Sequence, residues 1–254
     1  MTAPWYHRPV VGLDTETTGP DPHDPATEII QVALVVVMPD GTVTDSSWST
    51  IVAPTGEIPA EATAVHGITT ERARAEAAAA SARAKAGTRK SALDGVPISW
   101  KDLFDSAGVA TEAGSALLEG RVPAHDAKVL QTATEAGLVC LGKTHLSELA
   151  FSGIGINPVT ATPPNRHDPA WVPGGSSSGA AAPVAFGLAA AGIGSDTGGS
   201  VRIPSAWNDL VGLKTTSGRL TLEGVVPLCL RFDTIGPLCR SVEDAAMLTA
   251  LMEG

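Results

Sequence analysis

Residues 173–204 read PGGSSSGAAAPVAFGLAAAGIGSDTGGSVRIP, and this stretch decides the fold of the larger part of the chain. Two loops rich in glycine and serine, 174–179 and 192–199, enclose an alanine-rich apolar run. No charged residue occurs from 169 to 195, but six glycines and three prolines do. A membrane span needs about 20 strongly apolar residues, so we predict a buried helix between two loops instead.

The sequence around this stretch alternates between helical and strand-like patterns. A helical run, Ala124–Glu135, precedes a strand-like run, Gly137–Leu141. Alternation of this kind is typical of layered α/β folds. We therefore predict an α/β fold with a mixed sheet for this part of the chain.

The first third of the chain has a different pattern, rich in β-branched residues. Three apolar runs, Pro9–Leu13, Glu28–Met38 and Thr42–Val52, are joined by short turn-like segments and predict a small antiparallel meander. An alanine-rich, charged segment, 71–92, predicts a helix or a helical linker. We place a domain boundary within it, between an N-terminal fragment, 1–75, and a core, 76–254.

The strongest chemical signal in the N-terminal fragment is the pair Asp14 and Glu16. Side chains two apart on a strand share a face, and paired carboxylates suit a two-metal site for phosphodiester cleavage. The surrounding sequence, VVGLDTETTG with EIIQVALVV and AVHGIT, resembles proofreading-type 3′–5′ exonucleases of RNase H-like fold. None of the six histidines is followed five positions later by the aspartate of that family's last motif. We therefore interpret Asp14 and Glu16 as a remnant carboxylate pair and predict no resident metal.

Residues 92–252 contain six blocks that occur in the order of the amidase signature family, which they resemble. The blocks are GVPISWKD (95–102), GKTHLSELAFS (142–152), PGGSSSGAAA (173–182), GIGSDTGGSVRIP (192–204), VGLKTTSGR (211–219) and FDTIGPLCRSVEDAA (232–246). Members of that family hydrolyse carboxamides or serve as the amidase component of tRNA-dependent amidotransferases. The resemblance implies a mixed-sheet core and an amide hydrolase that needs no cofactor.

The same resemblance assigns the catalytic roles. It implies that Ser200 is the nucleophile, that Ser176 is a bridging serine held by a cis peptide bond, and that Lys101 is the general base. A lysine acts as a base only when neutral, so burial must lower its pKa by several units. The apolar residues that flank Lys101 allow this, whereas a carboxylate of Asp102 that pointed inward would oppose it.

Two loops complete the predicted site. The family pattern assigns the oxyanion hole to the run Thr197, Gly198, Gly199 and Ser200, where glycines leave backbone N–H groups free to face developing charge. It assigns substrate-loop positions to Gly174, Gly175 and Ser177. In the implied mechanism Lys101 deprotonates Ser200 through Ser176, and the acyl-enzyme that forms is then hydrolysed. Asp196 and Arg202 are expected to be ion partners, and His145 is expected to be structural.

The chain also departs from the family. Ser178 stands where glycine is usual, and a Cβ there would strain a loop that needed a positive φ. Full family members are longer, so we expect an incomplete core. We hypothesise that parts of two unrelated enzymes are joined near residue 75.

Composition limits the partners. Residues 1–73 hold ten acidic and two basic residues, so most of the net charge of −10 lies there, which disfavours nucleic acid and anionic membranes. The three cysteines form no disulfide framework and are expected to be buried apolar residues. We expect a cytoplasmic protein with a small carboxamide substrate, no membrane contact, and self-association through its incomplete sheet. An exonuclease-like nucleic-acid-binding remnant and an inactive fusion fragment stay open as alternatives.

Overall fold

The computed structural model describes residues 70–254 and, before them, the backbone of three strands. These strands are β1 (Val10–Thr17), β2 (Ile29–Val37) and β3 (Ser49–Thr50), and they form an antiparallel sheet in the order β1-β2-β3. The order is that of the predicted meander, although the third predicted strand is described only at Ser49–Thr50. The RNase H-like assignment stays a prediction, and the side chains of Asp14 and Glu16 lie outside the described residues.

The core contains five helices and five strands among the described residues, together with short 3-10 turns at Ala116–Leu118 and Glu148–Ala150. In chain order they are α1 (Thr70–Ala86), β4 (Pro97–Lys101), α2 (Lys128–Glu135), β5 (Val139–Thr144), α3 (Ser178–Ala185), β6 (Ala191–Asp196), α4 (Arg202–Trp207), β7 (Val211–Gly212), β8 (Thr234–Cys239) and α5 (Val242–Glu253).

The five strands form one mixed sheet, as the alternating pattern predicts. Their order is β5-β4-β6-β8-β7. Strand β4 pairs in parallel with β5 and β6, whereas β8 runs antiparallel to both β6 and β7. The parallel pairs bring the carboxyl ends of β4 and β6 to the same edge of the sheet.

The two faces of β4 have different environments because side chains alternate along a strand. Ile98 and Trp100 belong to the main apolar core, which also contains residues of α2 and α5. Ser99 and Lys101 lie on the other face, and the register places Ser99 beside Gly192 of β6. A Cβ on Gly192 would lie 2.2 Å from the carbonyl oxygen of Ala180, so glycine is required for α3 to pack this closely on the sheet.

Helix α1 passes through residue 75, where the sequence pattern changes, and continues without interruption to Ala86. Its Arg83 forms an ion pair with the buried carboxylate of Asp94, with Nε 2.7 Å from Oδ2. The carboxylate of Glu76 accepts a hydrogen bond of 2.9 Å from the backbone N–H of Cys140 on β5. This helix is therefore attached to the core sheet. No helix in the described part of the chain has the length and apolar character that a membrane crossing requires.

Candidate active site

Lys101 is the last residue of β4 and is fully buried. Its Nζ lies 2.7 Å from Oγ of Ser176 and 2.9 Å from Oγ of Ser195. Ser176 belongs to the loop before α3, and Ser195 belongs to the neighbouring strand β6. The structure thus brings the predicted lysine and one predicted serine into direct contact and adds Ser195, which sequence reasoning missed.

Burial lowers the pKa of Lys101 to about 7, because removal from water penalises the charged ammonium. The negative charges of Asp196 and Asp233 act in the opposite direction. Asp102 does not point inward: its carboxylate pairs at 2.6 Å with Nζ of Lys143 and also accepts the backbone N–H of Glu112. A large fraction of Lys101 is therefore neutral near pH 7, as a general base must be.

The peptide bond between Gly175 and Ser176 is cis, as the family resemblance implied. The loop is held by backbone hydrogen bonds: Ser176 O accepts from Ser147 N at 3.1 Å, and Gly175 N donates to Gly153 O at 2.8 Å. A Cβ on Gly175 would lie 2.6 Å from the backbone nitrogen of Gly155, so only glycine fits this close approach.

Ser200 lies next to this loop and is 9% exposed. Its carbonyl oxygen accepts a hydrogen bond of 3.2 Å from the N–H of Ser177. The hydroxyl of Ser177 also donates to the carbonyl of Ser195 at 3.3 Å. These contacts join the two glycine-rich loops, so Lys101, Ser176 and Ser200 lie in one part of the structure.

The predicted oxyanion run, residues 197–200, is shaped by Asp196 at its start. Oδ1 of Asp196 accepts the N–H of Gly199 at 2.8 Å, and Oδ2 accepts the N–H of Val201 at 3.1 Å. The Gly199 N–H is therefore already bonded within the protein. This leaves the N–H groups of Thr197, Gly198 and Ser200 as the candidate donors to an oxyanion.

The predicted ion pair between Asp196 and Arg202 is confirmed. Nε and Nη2 of Arg202 each lie 3.0 Å from a carboxylate oxygen of Asp196. Burial by itself would raise the pKa of Asp196, but Arg202 and the backbone N–H groups together hold it below its ordinary value. Asp196 is therefore a buried, charged anchor for the turn that carries Ser200.

The strain expected at Ser178 does not occur. Ser178 is the first residue of α3, and it is absent from the four described non-glycine residues that have a positive φ. The expectation was wrong because the helix begins at this position, and a helical φ suits any L-residue. Its Oγ is buried and has no hydrogen-bond partner among the described residues.

The prediction that all three cysteines are buried is wrong for two of them. All three thiols are free, but only Cys239 is buried, and burial raises its pKa. Cys140 and Cys229 are half-buried. His145, expected to be structural, is half-buried; burial lowers its pKa, and its carbonyl accepts the N–H of Gly179 at 3.0 Å. Among the residues that the structure describes, no group of three or more His, Cys, Asp or Glu side chains is arranged to hold a metal ion.

This combination of a mixed sheet, a buried lysine and two linked glycine-rich loops defines a protein of the amidase class. The sequence matches the family described as Amidase over residues 55–254, and the chain belongs to this family. Residues 11–89 also match the family described as Exonuclease. The two matches overlap from 55 to 89, so they do not meet at one position.

Among curated relatives, the A component of the glutamyl-tRNA(Gln) amidotransferase from Anaeromyxobacter sp. (strain K) is 45% identical over 187 residues. The aligned part covers 74% of this chain and 38% of the relative. The same component from Myxococcus xanthus is 45% identical over 176 residues, which is 69% of this chain and 36% of the relative. The chain thus spans less than half the length of the relatives it matches.

Solved structures support the fold. The native peptide amidase of Stenotrophomonas maltophilia is similar with a TM-score of 0.70 and 37% identity, covering 76% of this chain and 40% of that one. A structure described as a vestigial complex behind the origins of an s-triazine catabolic enzyme has a TM-score of 0.71 and 39% identity, covering 73% and 41%. The predicted mixed α/β sheet of amidase type is confirmed at this level.

Proposed function

We propose that this chain is an amide hydrolase in which Ser200 is the nucleophile, Ser176 relays protons and Lys101 is the base. The contact that supports the proposal best is the 2.7 Å separation between Lys101 Nζ and Ser176 Oγ. A hydrogen-bonded lysine whose pKa has fallen to about 7 accepts a proton at neutral pH. An exposed lysine, with a pKa near 10.4, is almost entirely charged there.

The mechanism follows from these positions. Neutral Lys101 takes the proton of Ser176, which takes the proton of Ser200 as its oxygen attacks the amide carbon. The carbonyl oxygen becomes an oxyanion, which the N–H groups of Thr197, Gly198 and Ser200 stabilise. Return of the proton along the same path to the amide nitrogen lets the C–N bond break. Water then enters, gives its proton to the relay and releases the acid from Ser200.

We further propose a small-molecule carboxamide as substrate. The names of the relatives divide between peptide amidases and amidotransferase components, so an aminoacyl-tRNA-linked amide handled within a larger complex is the second candidate. The match of residues 11–89 supports an exonuclease-like remnant as an alternative role for the N-terminal part. Amide turnover that persists in EDTA favours hydrolysis, whereas metal-dependent trimming of single-stranded DNA favours the nuclease.

Labelling with a fluorophosphonate tests the site without a known substrate. We expect a single adduct on Ser200, located by intact mass and peptide mapping, and no adduct in Ser200→Ala. Lys101→Met should lower the labelling rate by about a hundredfold or more, since general-base catalysis contributes about 10²–10⁴-fold. Lys128→Met is a matched control at an exposed lysine and should label at the parent rate.

The labelling rate of the parent should rise with pH around a midpoint near 7, where Lys101 loses its proton. Soluble, monodisperse protein that takes up no label at any pH would contradict the proposed function. The chain would then be an inactive fragment that carries the family's motifs.

A further inference from the structure

Asp233 immediately precedes β8 and is buried, although the mechanism described above does not use it. One carboxylate oxygen, Oδ1, accepts the hydroxyl of Thr197 at 2.5 Å. The other, Oδ2, accepts the backbone N–H groups of Leu228 at 3.0 Å and Cys229 at 2.9 Å. Asp233 therefore joins the loop 228–233 to the first residue of the oxyanion run.

A second contact beside Asp233 keeps this junction in place. The hydroxyl of Thr234 donates to the carbonyl of Asp196 at 2.8 Å, and the same two residues are partners in the β6–β8 ladder. Residues 196–197 are thus bonded side by side to residues 233–234. A change at Asp233 acts on Thr197 while the ladder beneath it stays intact.

The charges around Lys101 make Asp233 distinctive. The buried negative charges that act on Lys101 are Asp196, from β6, and Asp233, from the loop before β8. Asp196 is offset by Arg202 of α4. On the remaining side, Asp102 of β4 is paired with Lys143 of β5, and burial lowers the pKa of His145, which follows β5. In the described part of the chain the donors to Asp233 are a hydroxyl and backbone N–H groups, all of them neutral.

We propose that Asp233 is a positioning residue of this site: its carboxylate holds Thr197 at the start of the oxyanion run and presents an uncompensated negative charge to Lys101. The inference rests on the proposed function and adds a residue to its machinery. The charge of Asp233 stabilises protonated Lys101 and so sets the pH at which the base becomes available. Its contact with Thr197 orients the N–H groups that meet the oxyanion.

Two substitutions separate these effects. Asp233→Asn removes the charge and keeps the shape, so the midpoint of Lys101 should fall by about 1 pH unit. Thr197→Val removes the hydroxyl and keeps the carboxylate, so the plateau rate of fluorophosphonate labelling should fall about tenfold without a lower midpoint. Thr197→Ser retains the hydroxyl and should restore the parent rate. Asp168→Asn, at a carboxylate that accepts an N–H in an exposed loop, is the control and should change neither quantity.

The midpoint is measured in two independent ways. One is the pH profile of labelling, and the other is an NMR titration of the Lys101 side chain, assigned by its loss in Lys101→Met. An unchanged NMR midpoint in Asp233→Asn, or an unchanged plateau in Thr197→Val, overturns the inference. If Ser200 takes no label while the NMR midpoint moves as expected, the proposed function fails and the coupling of Asp233 to Lys101 stands. If Asp233→Asn does not fold, the Thr197→Val and Thr197→Ser pair decides.

Discussion

At Lys101, the burial that produces a neutral base also costs folding free energy. The unfolded chain exposes this lysine at its ordinary pKa near 10.4, whereas the folded chain holds it at a pKa of about 7. Between these values the unfolded state binds more protons than the folded state. The contribution of Lys101 to stability therefore rises with pH across this range, by up to about 1.4 kcal/mol per pH unit.

We expect Lys101→Met to stabilise the fold below pH 7, where the full penalty of burying the ammonium applies. The difference in the free energy of unfolding between variant and parent should shrink as pH rises from 7 and vanish above about 10.4. Urea denaturation of both proteins at a series of pH values measures it. A difference that stays constant across this range would contradict the lowered pKa.

Ser178 offers a second test at single-residue scale. Its hydroxyl is buried without a partner among the described residues, and such a group costs about 1–3 kcal/mol. Ser178→Ala should therefore raise the free energy of unfolding by about 1 kcal/mol, measured by thermal or urea denaturation. Ser178→Gly should be less stable than Ser178→Ala by about 0.5–1 kcal/mol, because the position lies in a helix. The reverse order of the two variants would mean that the residue does not adopt helical backbone angles.

Among the elements, α1 shows how a segment that looks like a linker becomes part of the core. Its alanine-rich composition with scattered charges predicts a helix but not what the helix contacts. The ion pair of Arg83 with Asp94 and the hydrogen bond from Cys140 to Glu76 supply those contacts. Both join residues far apart in sequence, so local pattern could not predict them.

We expect Arg83→Ala to lower the free energy of unfolding by about 2 kcal/mol, because it leaves the fully buried carboxylate of Asp94 without its cation. Arg83 itself is partly exposed, and for this reason the expected loss is below the range for fully buried pairs. Lys85→Ala, at an exposed base in the same last turn, is the control and should change stability by less than about 0.5 kcal/mol. Equal effects of the two substitutions would show that α1 does not depend on this pair.

For the whole molecule, the distribution of apolar side chains predicts association. Several large ones are more than half exposed, among them Leu117 at 80%, Phe151 at 79% and Leu230 at 68%. Exposed apolar patches mark interaction sites or aggregation. The sheet also has an edge at β7, which is only two residues long.

We expect the protein to self-associate with increasing concentration, and Leu117→Ser combined with Leu230→Ser to reduce this association at least severalfold. Sedimentation velocity over a range of concentrations measures it. A parent protein that is monomeric at every concentration contradicts the expectation. Association that the double variant leaves unchanged would direct attention to the sheet edge instead.

The motifs by themselves determined the fold class, the family and the residue types of the candidate site, because glycine, serine and lysine in this spacing carry local chemistry that can be read in order. Tertiary structure alone decided which of these groups meet. Ser195 looks like an ordinary strand residue in GIGSD, and only the parallel register of β4 and β6 brings it to Lys101. Asp233 lies 36 residues from Thr197, and a strand pairing brings them together. The pKa of Lys101, the bonded N–H of Gly199 and the outward direction of Asp102 depend on burial and on contacts between distant segments, which no local pattern encodes.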